Sequence, residues 1–428
     1  MKKFVLGCLV LLAGATLLFA TGGSESGSAG PGESVVRWAY WGSENRIKIS
    51  QAAIDIFMAD NPGIKVNPEP SGGAGDHFVK VDTQVAGGNG PDIIQMGGNI
   101  GDYVGKNALL PLEKYSGSLL DTSVIDPSAI ESGTINGHLY GVSTGVTMPS
   151  LVYNKSLIER SGAPLPKTSM TYEEFRAYLM TLKSKLPAGV YPMQDIGVMS
   201  SNSTPFGYWT GYNGTTLYLA DSNSTEVTAA DAQKYLELFK DYRDNGLIPP
   251  ADVAAGYAET NADSSMLVAG KAAIGYLYTN QLAGYQGAMT DEIDLIEFPG
   301  AAATKALWQA PSQFYTVNKD SKNVEDTVKF INFIVNSPKA AAVLGNDRGA
   351  SASASARSAT LANPADQKVL AYLKVAGPHS SKETAHLPND TEFNSTLYLI
   401  YQQVAFGKIS TAEGGKQIYE LIVRLINK

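Results

Sequence analysis

Thr83-Gln84-Val85-Ala86-Gly87-Gly88-Asn89-Gly90-Pro91-Asp92-Ile93-Ile94-Gln95-Met96 is the stretch whose reading decides the fold class of this chain. The glycines can take the left-handed conformation that ends a helix, and Pro91 cannot continue one. From Asp92 to Met96 the chain is nearly continuously apolar, as in parallel strands buried on both faces. Ligands in open parallel sheets sit just beyond the carboxyl ends of such strands, so a solute is expected near Gly97-Gly98-Asn99.

On the N-terminal side, Val35-Val36-Arg37-Trp38-Ala39-Tyr40 reads as a strand rich in β-branched and aromatic residues, ending in Trp41-Gly42-Ser43. Ser43 can cap a helix in which Ile49, Ala53, Ile56 and Phe57 recur at helical spacing and which Asn61-Pro62-Gly63 stops. A second strand, Ile64-Lys65-Val66, leads into Ser71-Gly72-Gly73, and a second helix over 76–85 feeds the opening stretch. Strand, helix, strand, helix, strand in one run requires right-handed crossovers and a parallel sheet with helices on its faces.

On the C-terminal side, His138 to Val142 and Ser150 to Asn154 read as extended segments suited to chain crossing between domains. Helices are expected over 172–186 and 229–245, with capping-box starts at Thr171 and Thr228. Lys271 to Tyr278 reads as a strand ending in Thr279-Asn280, and 313–317 as another extended segment before a helix over 324–335. The Ser/Ala run 351–358 reads as an irregular loop, and 397–406 and 415–426 as closing helices. No fixed-period repeat is present, which excludes solenoids and propellers.

At 428 residues the chain exceeds one ordinary core. Charged residues are only 17%, the net charge is −8, and no basic stripe stands out, so a nucleic-acid partner is not expected. Lys2 and Lys3 ahead of an apolar run read as a signal peptide over 1–20, cut after Ala20. It resembles a lipoprotein signal in Leu18-Phe19-Ala20, but Thr21 stands where the lipid-bearing Cys belongs. The single Cys, Cys8, lies inside the apolar region and reads as a small apolar residue of a discarded helix. Gly22 to Gly32 has the composition of a flexible tether, taken as 21–33.

Gly141-Val142-Ser143-Thr144-Gly145 matches the Gly-x-Ser-x-Gly nucleophile motif, which needs a helix directly after the serine. Val146-Thr147-Met148-Pro149 cannot start a long one, so no catalytic residue is assigned. The four histidines are scattered, His379 and His386 reading as surface residues, so no metal site or cofactor is expected. Aromatics are more informative: Trp41 and Tyr278 end strands, Trp209 lies in Pro205-Phe206-Gly207-Tyr208-Trp209, and Trp308 precedes Gln309-Ala310-Pro311. Flat aromatic faces in polar, Gly-rich loops suit sugars, whose axial hydrogens present an apolar surface.

Several motifs together resemble extracellular solute-binding proteins of family 1, the carbohydrate-binding components of bacterial ABC importers. They are Ala86 to Ile94, Asn136-Gly137-His138-Leu139-Tyr140-Gly141-Val142, Leu151-Val152-Tyr153-Asn154-Lys155, Gly270-Lys271-Ala272-Ala273-Ile274 and Asp347-Arg348-Gly349-Ala350-Ser351, in that order. The resemblance implies a two-lobed α/β fold, each lobe a mixed, mainly parallel sheet flanked by helices. The expected lobes are 34–146 with 314–375, and 147–313 with 376–428, crossing near 145–150, 313–316 and 375–384. It further implies a monomer, exported to the periplasm or the outer face of the cytoplasmic membrane, that closes its hinge on a sugar and hands it to a membrane permease. By position in that architecture, Trp41, Glu44, Ser71, Gly72, Gly73, Gly98 and Asn99 line the first lobe, and Trp209, Tyr278, Asn280, Trp308 and Gln309 the second lobe or the hinge side. Arg348 is placed at the cleft, with a structural ion pair as its alternative. A sugar phosphate, a polyol or another polar solute in the same fold is the second reading, and an exported glycan-active enzyme the third.

Overall fold

The computed structural model describes residues 34–199, 203–257, 262, 265–383 and 385–428. The expected signal peptide (1–20) and tether (21–33) lie outside the described residues. Strands β1 (Ser34–Trp41), β2 (Ile64–Ser71) and β3 (Ile93–Met96) alternate with helices α1 (Glu44–Asp60), α2 (Ala74–Ala86) and α3 (Ile100–Gly105). As the sequence requires, α2 stops at the glycines, Gly88 taking a φ of +69°. β1 pairs in parallel with β2 along its length, from Ser34–Ile64 to Trp41–Ser71, and with β3 at Trp38–Ile93 and Ala39–Ile94. Side chains alternate faces at period two. Val36, Trp38, Tyr40 and Ile93 enter a core with α1 and the helix Val324–Asn336, while Ala39, Ile94 and Met96 pack with α2 and α3.

Two sheets of unequal composition result. The first has the order β2, β1, β3, Phe314–Val317, Gly141–Ser143, and the second Ile293–Ile296, Pro149–Asn154, Ala272–Tyr278, Tyr191–Met193. Each sheet has one strand running against the rest: Phe314–Val317 is antiparallel to both its neighbours, and so is Pro149–Asn154. The reason is topological. Strands β1, β3 and Ala272–Tyr278 end at the space between the sheets, so a strand arriving from the opposite sheet must start there and run away from it. These two reversed strands are the ones that carry the chain across. A third sheet, ordered Ser381–Lys382, Trp308–Pro311, Val146–Thr147, stands at the crossing.

The second sheet is covered by the helices Tyr172–Lys185, Ala229–Asp244, Pro364–Ala376, Asp390–Ala405 and Thr411–Ile426. Both expected capping boxes form, Thr171 with Glu174 and Thr228 with Asp231. Two expectations fail. Residues 364–375, expected in the first lobe, pack in the second: Val369, Tyr372 and the adjoining Ala376 are buried in the second core and the Tyr372 hydroxyl donates to the Pro149 carbonyl at 3.0 Å. The last crossing therefore lies at 361–363, between the helices Ala354–Thr360 and Pro364–Ala376, rather than at 375–384. The Ser/Ala run is also not an irregular loop throughout. From Ala354 it is helical, because alanine favours the helix and Ala356 finds a buried position.

Asp92 of the opening stretch is scaffold. One carboxylate oxygen accepts the Arg37 backbone N–H at 2.8 Å and the other the Ser321 hydroxyl at 2.5 Å, tying β1 to the loop after Phe314–Val317. Asp92→Ala leaves the part-buried Arg37 amide without its carboxylate and is expected to cost about 1–3 kcal/mol in chemical denaturation, with no change in solute affinity.

Asp366 is buried at the crossing, where it accepts the Asn346 N–H at 3.2 Å while its second oxygen finds no donor among the described residues. Burial pushes its carboxyl up to about 6. A folded value above the unfolded one, about 3.9, means that ionisation works against the fold. The penalty is full above pH 6 and vanishes below pH 4. Asp366→Asn keeps the acceptor oxygen and is expected to raise stability at pH 7.5 by on the order of 1–3 kcal/mol, the gain shrinking to nothing as the pH falls to 4. Denaturation midpoints measured across that range check this.

Candidate functional site

Between the two sheets lies a cleft of about 2100 Å³, well above the few hundred to a thousand of a site for a drug-sized ligand. Its first wall is the carboxyl edge of β1 and β3. Trp41 ends β1 and leans on His77 at 5.1 Å and Phe78 at 5.6 Å between ring centres. Gly98 and Asn99 follow β3, where the Asn99 side-chain oxygen accepts the Gly97 N–H at 3.3 Å. Glu44 opens α1 beside them, after Ser43, whose hydroxyl accepts the Arg46 N–H.

The second wall is built by the end of Ala272–Tyr278 and by the middle strand of the crossing sheet. Tyr278 and Trp308 face each other at 5.8 Å and 43°, and Gln309 follows, its amide donating to the Ser380 hydroxyl at 2.7 Å. Asn280 bridges the walls: it accepts the Thr147 hydroxyl at 2.9 Å and donates to the Asp347 carbonyl at 3.4 Å. Lys382 reaches Glu131 across the mouth at 3.1 Å. Both partners are largely exposed, so this contact is worth under about 1 kcal/mol.

Trp41, Glu44, Gly98, Asn99, Tyr278, Asn280, Trp308 and Gln309 thus meet in one cleft. Ser71, Gly72 and Gly73 do not line it; that loop hands its place to Ala74 and Phe78 on α2. Trp209 is elsewhere. Pro205 opens the helix Thr204–Tyr212 rather than a loop, and Trp209 packs edge-on to Tyr172 at 5.2 Å and against Tyr235 in the second core. Arg348 points into the first core, 5.2 Å from the Trp38 and Tyr40 rings, bonding Gln95 at 2.9 Å and Ser50 at 2.8 Å. Its neighbour Asp347 faces the cleft instead and holds Arg46 at 2.5 Å.

Sequence reasoning missed residues 380–383 and 386–391. His386 is exposed, as expected, but lines the cleft between Asp390 at 3.4 Å and Glu383 at 3.3 Å, and hydrogen bonds to those carboxylates push its imidazole pKa upward. The signal was available in one form only: a polar loop, Gly377-Pro378-His379-Ser380-Ser381-Lys382, standing between two amphipathic helices. Ser143 of the Gly-x-Ser-x-Gly match donates its hydroxyl to Gly145 O at 3.1 Å, with no helix after it. Among the described residues no cluster of His, Cys, Asp and Glu could hold a metal ion, and no helix is long and apolar enough to cross a membrane.

A family model described as bacterial extracellular solute-binding protein matches residues 52–368. The chain is similar to an extracellular solute-binding protein family 1 structure from Alicyclobacillus acidocaldarius, 25% identical over 93% of this chain and 100% of that one, with a TM-score of 0.71. It shares its fold with a periplasmic oligogalacturonide-binding protein from Yersinia enterocolitica in complex with saturated digalacturonic acid, at 23% identity over 92% and 99% of the chains and a TM-score of 0.79. It shares it too with an ABC substrate-binding protein from Listeria monocytogenes in complex with cycloalternan, at 19% identity over 92% and 99% and a TM-score of 0.77.

Proposed function

Because this chain belongs to the bacterial extracellular solute-binding protein family, we propose that it captures a sugar or oligosaccharide between two lobes and delivers it to the membrane permease of an ABC importer. The observation that carries the reading is the set of aromatic side chains lining one cleft, Trp41 at the end of β1 and Tyr278 with Trp308 on the second wall, together with the amides of Asn99, Asn280 and Gln309. Each aromatic covering one sugar face removes about 70 Å² of apolar surface, or about 1.8 kcal/mol at about 25 cal/mol/Å². Three supply roughly 5 of the roughly 8 kcal/mol that a micromolar site needs, and hydrogen bonds to hydroxyls supply the rest. The sugars named in the Yersinia and Listeria complexes support this class of solute.

In this reading the lobes are 34–143 with 314–360 and 148–311 with 364–428. The links 144–147, 312–313 and 361–363 act as the hinge, a motion known for periplasmic binding proteins. Closure brings Trp41 onto a sugar already stacked on Trp308, expels water, and joins two lobe surfaces for the permease. No bond is made or broken, and the protein works as an exported monomer. Titration with neutral oligosaccharides should quench or shift tryptophan fluorescence, since two tryptophans face the cleft. A response to small polar solutes but to no sugar would overturn the solute class, and turnover of a bound oligosaccharide would overturn the role as a carrier.

A further inference from the structure

The charges of the walls bear on which sugars enter, an inference that rests on the carbohydrate reading of the cleft. Six carboxylates line it, on Glu44, Asp102, Glu131, Asp347, Glu383 and Asp390, against three cationic side chains, Arg46, Lys382 and His386. Each cation is already engaged by a wall carboxylate. Arg46 holds Asp347 at 2.5 Å and the carbonyls of Trp41 and Asp347 at 3.1 and 2.7 Å; Lys382 holds Glu131; His386 sits between Glu383 and Asp390. Glu44 and Asp102 are left with no ion-pair partner among the described residues. They stand in the first turns of α1 and α3, the helices that follow the neighbouring strands β1 and β3, and line the cleft with Trp41 and Asn99. The amino end of α1 is already capped by Ser43 and fronted by Glu44, and that of α2, which opens on the cleft at Ala74 without a side-chain cap, carries Asp76 in its first turn.

We propose that the cleft selects uncharged oligosaccharides and excludes uronates and phosphorylated sugars, with Glu44 and Asp102 setting that preference. A sugar hydroxyl donates to either carboxylate in a charge-assisted bond. A solute carboxylate or phosphate in the same place meets two uncompensated negative charges in a space from which closure removes water, where like charges repel most strongly.

The test presents the purified protein with a mixture of oligosaccharides from partial hydrolysis of starch, mannan and galactan together with pectin and alginate fragments. Retained sugars are identified by mass spectrometry after gel filtration. The expected result is retention of neutral sugars only, with the uronate counterpart of the retained sugar binding at least tenfold more weakly in titration. The double variant Glu44→Gln, Asp102→Asn, with its fold checked by circular dichroism, should shrink that gap at least fivefold, by tightening uronate binding and by weakening neutral-sugar binding as the charge-assisted bonds are lost. Retention of pectin or alginate fragments would overturn the charge preference and leave the carbohydrate reading standing. An unchanged gap in the double variant would remove Glu44 and Asp102 as its source. Retention of no sugar from either group would overturn the carbohydrate reading and this inference with it.

Discussion

Trp308→Ala should raise the Kd for the captured sugar roughly five- to hundredfold, a loss of about 1–3 kcal/mol, while the melting temperature of the empty protein moves by less than about 2 °C. Trp308 belongs to none of the hydrophobic cores and is only half-buried, its ring meeting Tyr278 at 5.8 Å. Its backbone holds the crossing sheet by pairing with Ser381, which does not depend on the side chain. Removing the indole therefore takes a stacking surface from the cleft and little from the fold. Titration calorimetry and a thermal melt on the same sample check both halves. A melting point lowered by many degrees with an unchanged Kd would make Trp308 a packing residue and shift the aromatic burden to Trp41.

Gly145→Ala is expected to act in the opposite way, through the scaffold. A Cβ at this position would stand 2.4 Å from the Ala350 carbonyl oxygen and 2.7 Å from the Gly349 carbonyl carbon, both backbone atoms that cannot rotate aside. Gly349 has a φ of +101°, so at the closest point of the crossing two glycines face each other. Making room means parting the Val146–Ala350 hydrogen bonds of 2.8 and 2.9 Å and the Ser312–Gly145 bond of 2.8 Å. Overpacking together with loss of these bonds should cost about 2–4 kcal/mol and weaken solute binding at least tenfold, because the hinge sheet no longer fixes how the lobes meet. Gly98→Ala is the control: nothing lies within 4 Å of its added Cβ, so stability should hold. Equal stability and affinity in Gly145→Ala and the unaltered protein would remove the crossing from the account of closure.

The parallel half of the first sheet was legible because each strand, helix and stop within 35–96 is marked locally, by alternation, by helical spacing and by Gly or Pro punctuation. Trp41, Tyr278 and Trp308 were legible for a related reason, each standing beside a polar or glycine-bearing turn at a strand. Trp209 misled because Pro205 and Gly207 look like loop punctuation, whereas a proline in the first turn is well suited to starting a helix. For Arg348 the structural alternative holds: the Trp38 and Tyr40 rings draw the guanidinium inward, where it lies 3.6 Å from the Asp347 carboxylate, because in an Asp-Arg pair only packing decides which side chain turns to the cleft. The stretch after Gly377 was marked only as a polar loop, because Ser381 and Lys382 reach the cleft by pairing with Trp308 and Gln309, more than seventy residues away. A pairing of that span leaves no mark in either stretch alone.

The two reversed strands also govern how the molecule can be made. Phe314–Val317 lies between β3 and Gly141–Ser143, so the first sheet has a gap in its interior until residue 317 has left the ribosome, by which time most of the second lobe has been synthesised. Neither half of the gene encodes a lobe, and truncation at any point between the two reversed strands yields a sheet split in two. Pairings this remote make folding slow relative to a chain of local contacts. In the exported carrier proposed above, that delay would hold the chain unfolded while it crosses a membrane.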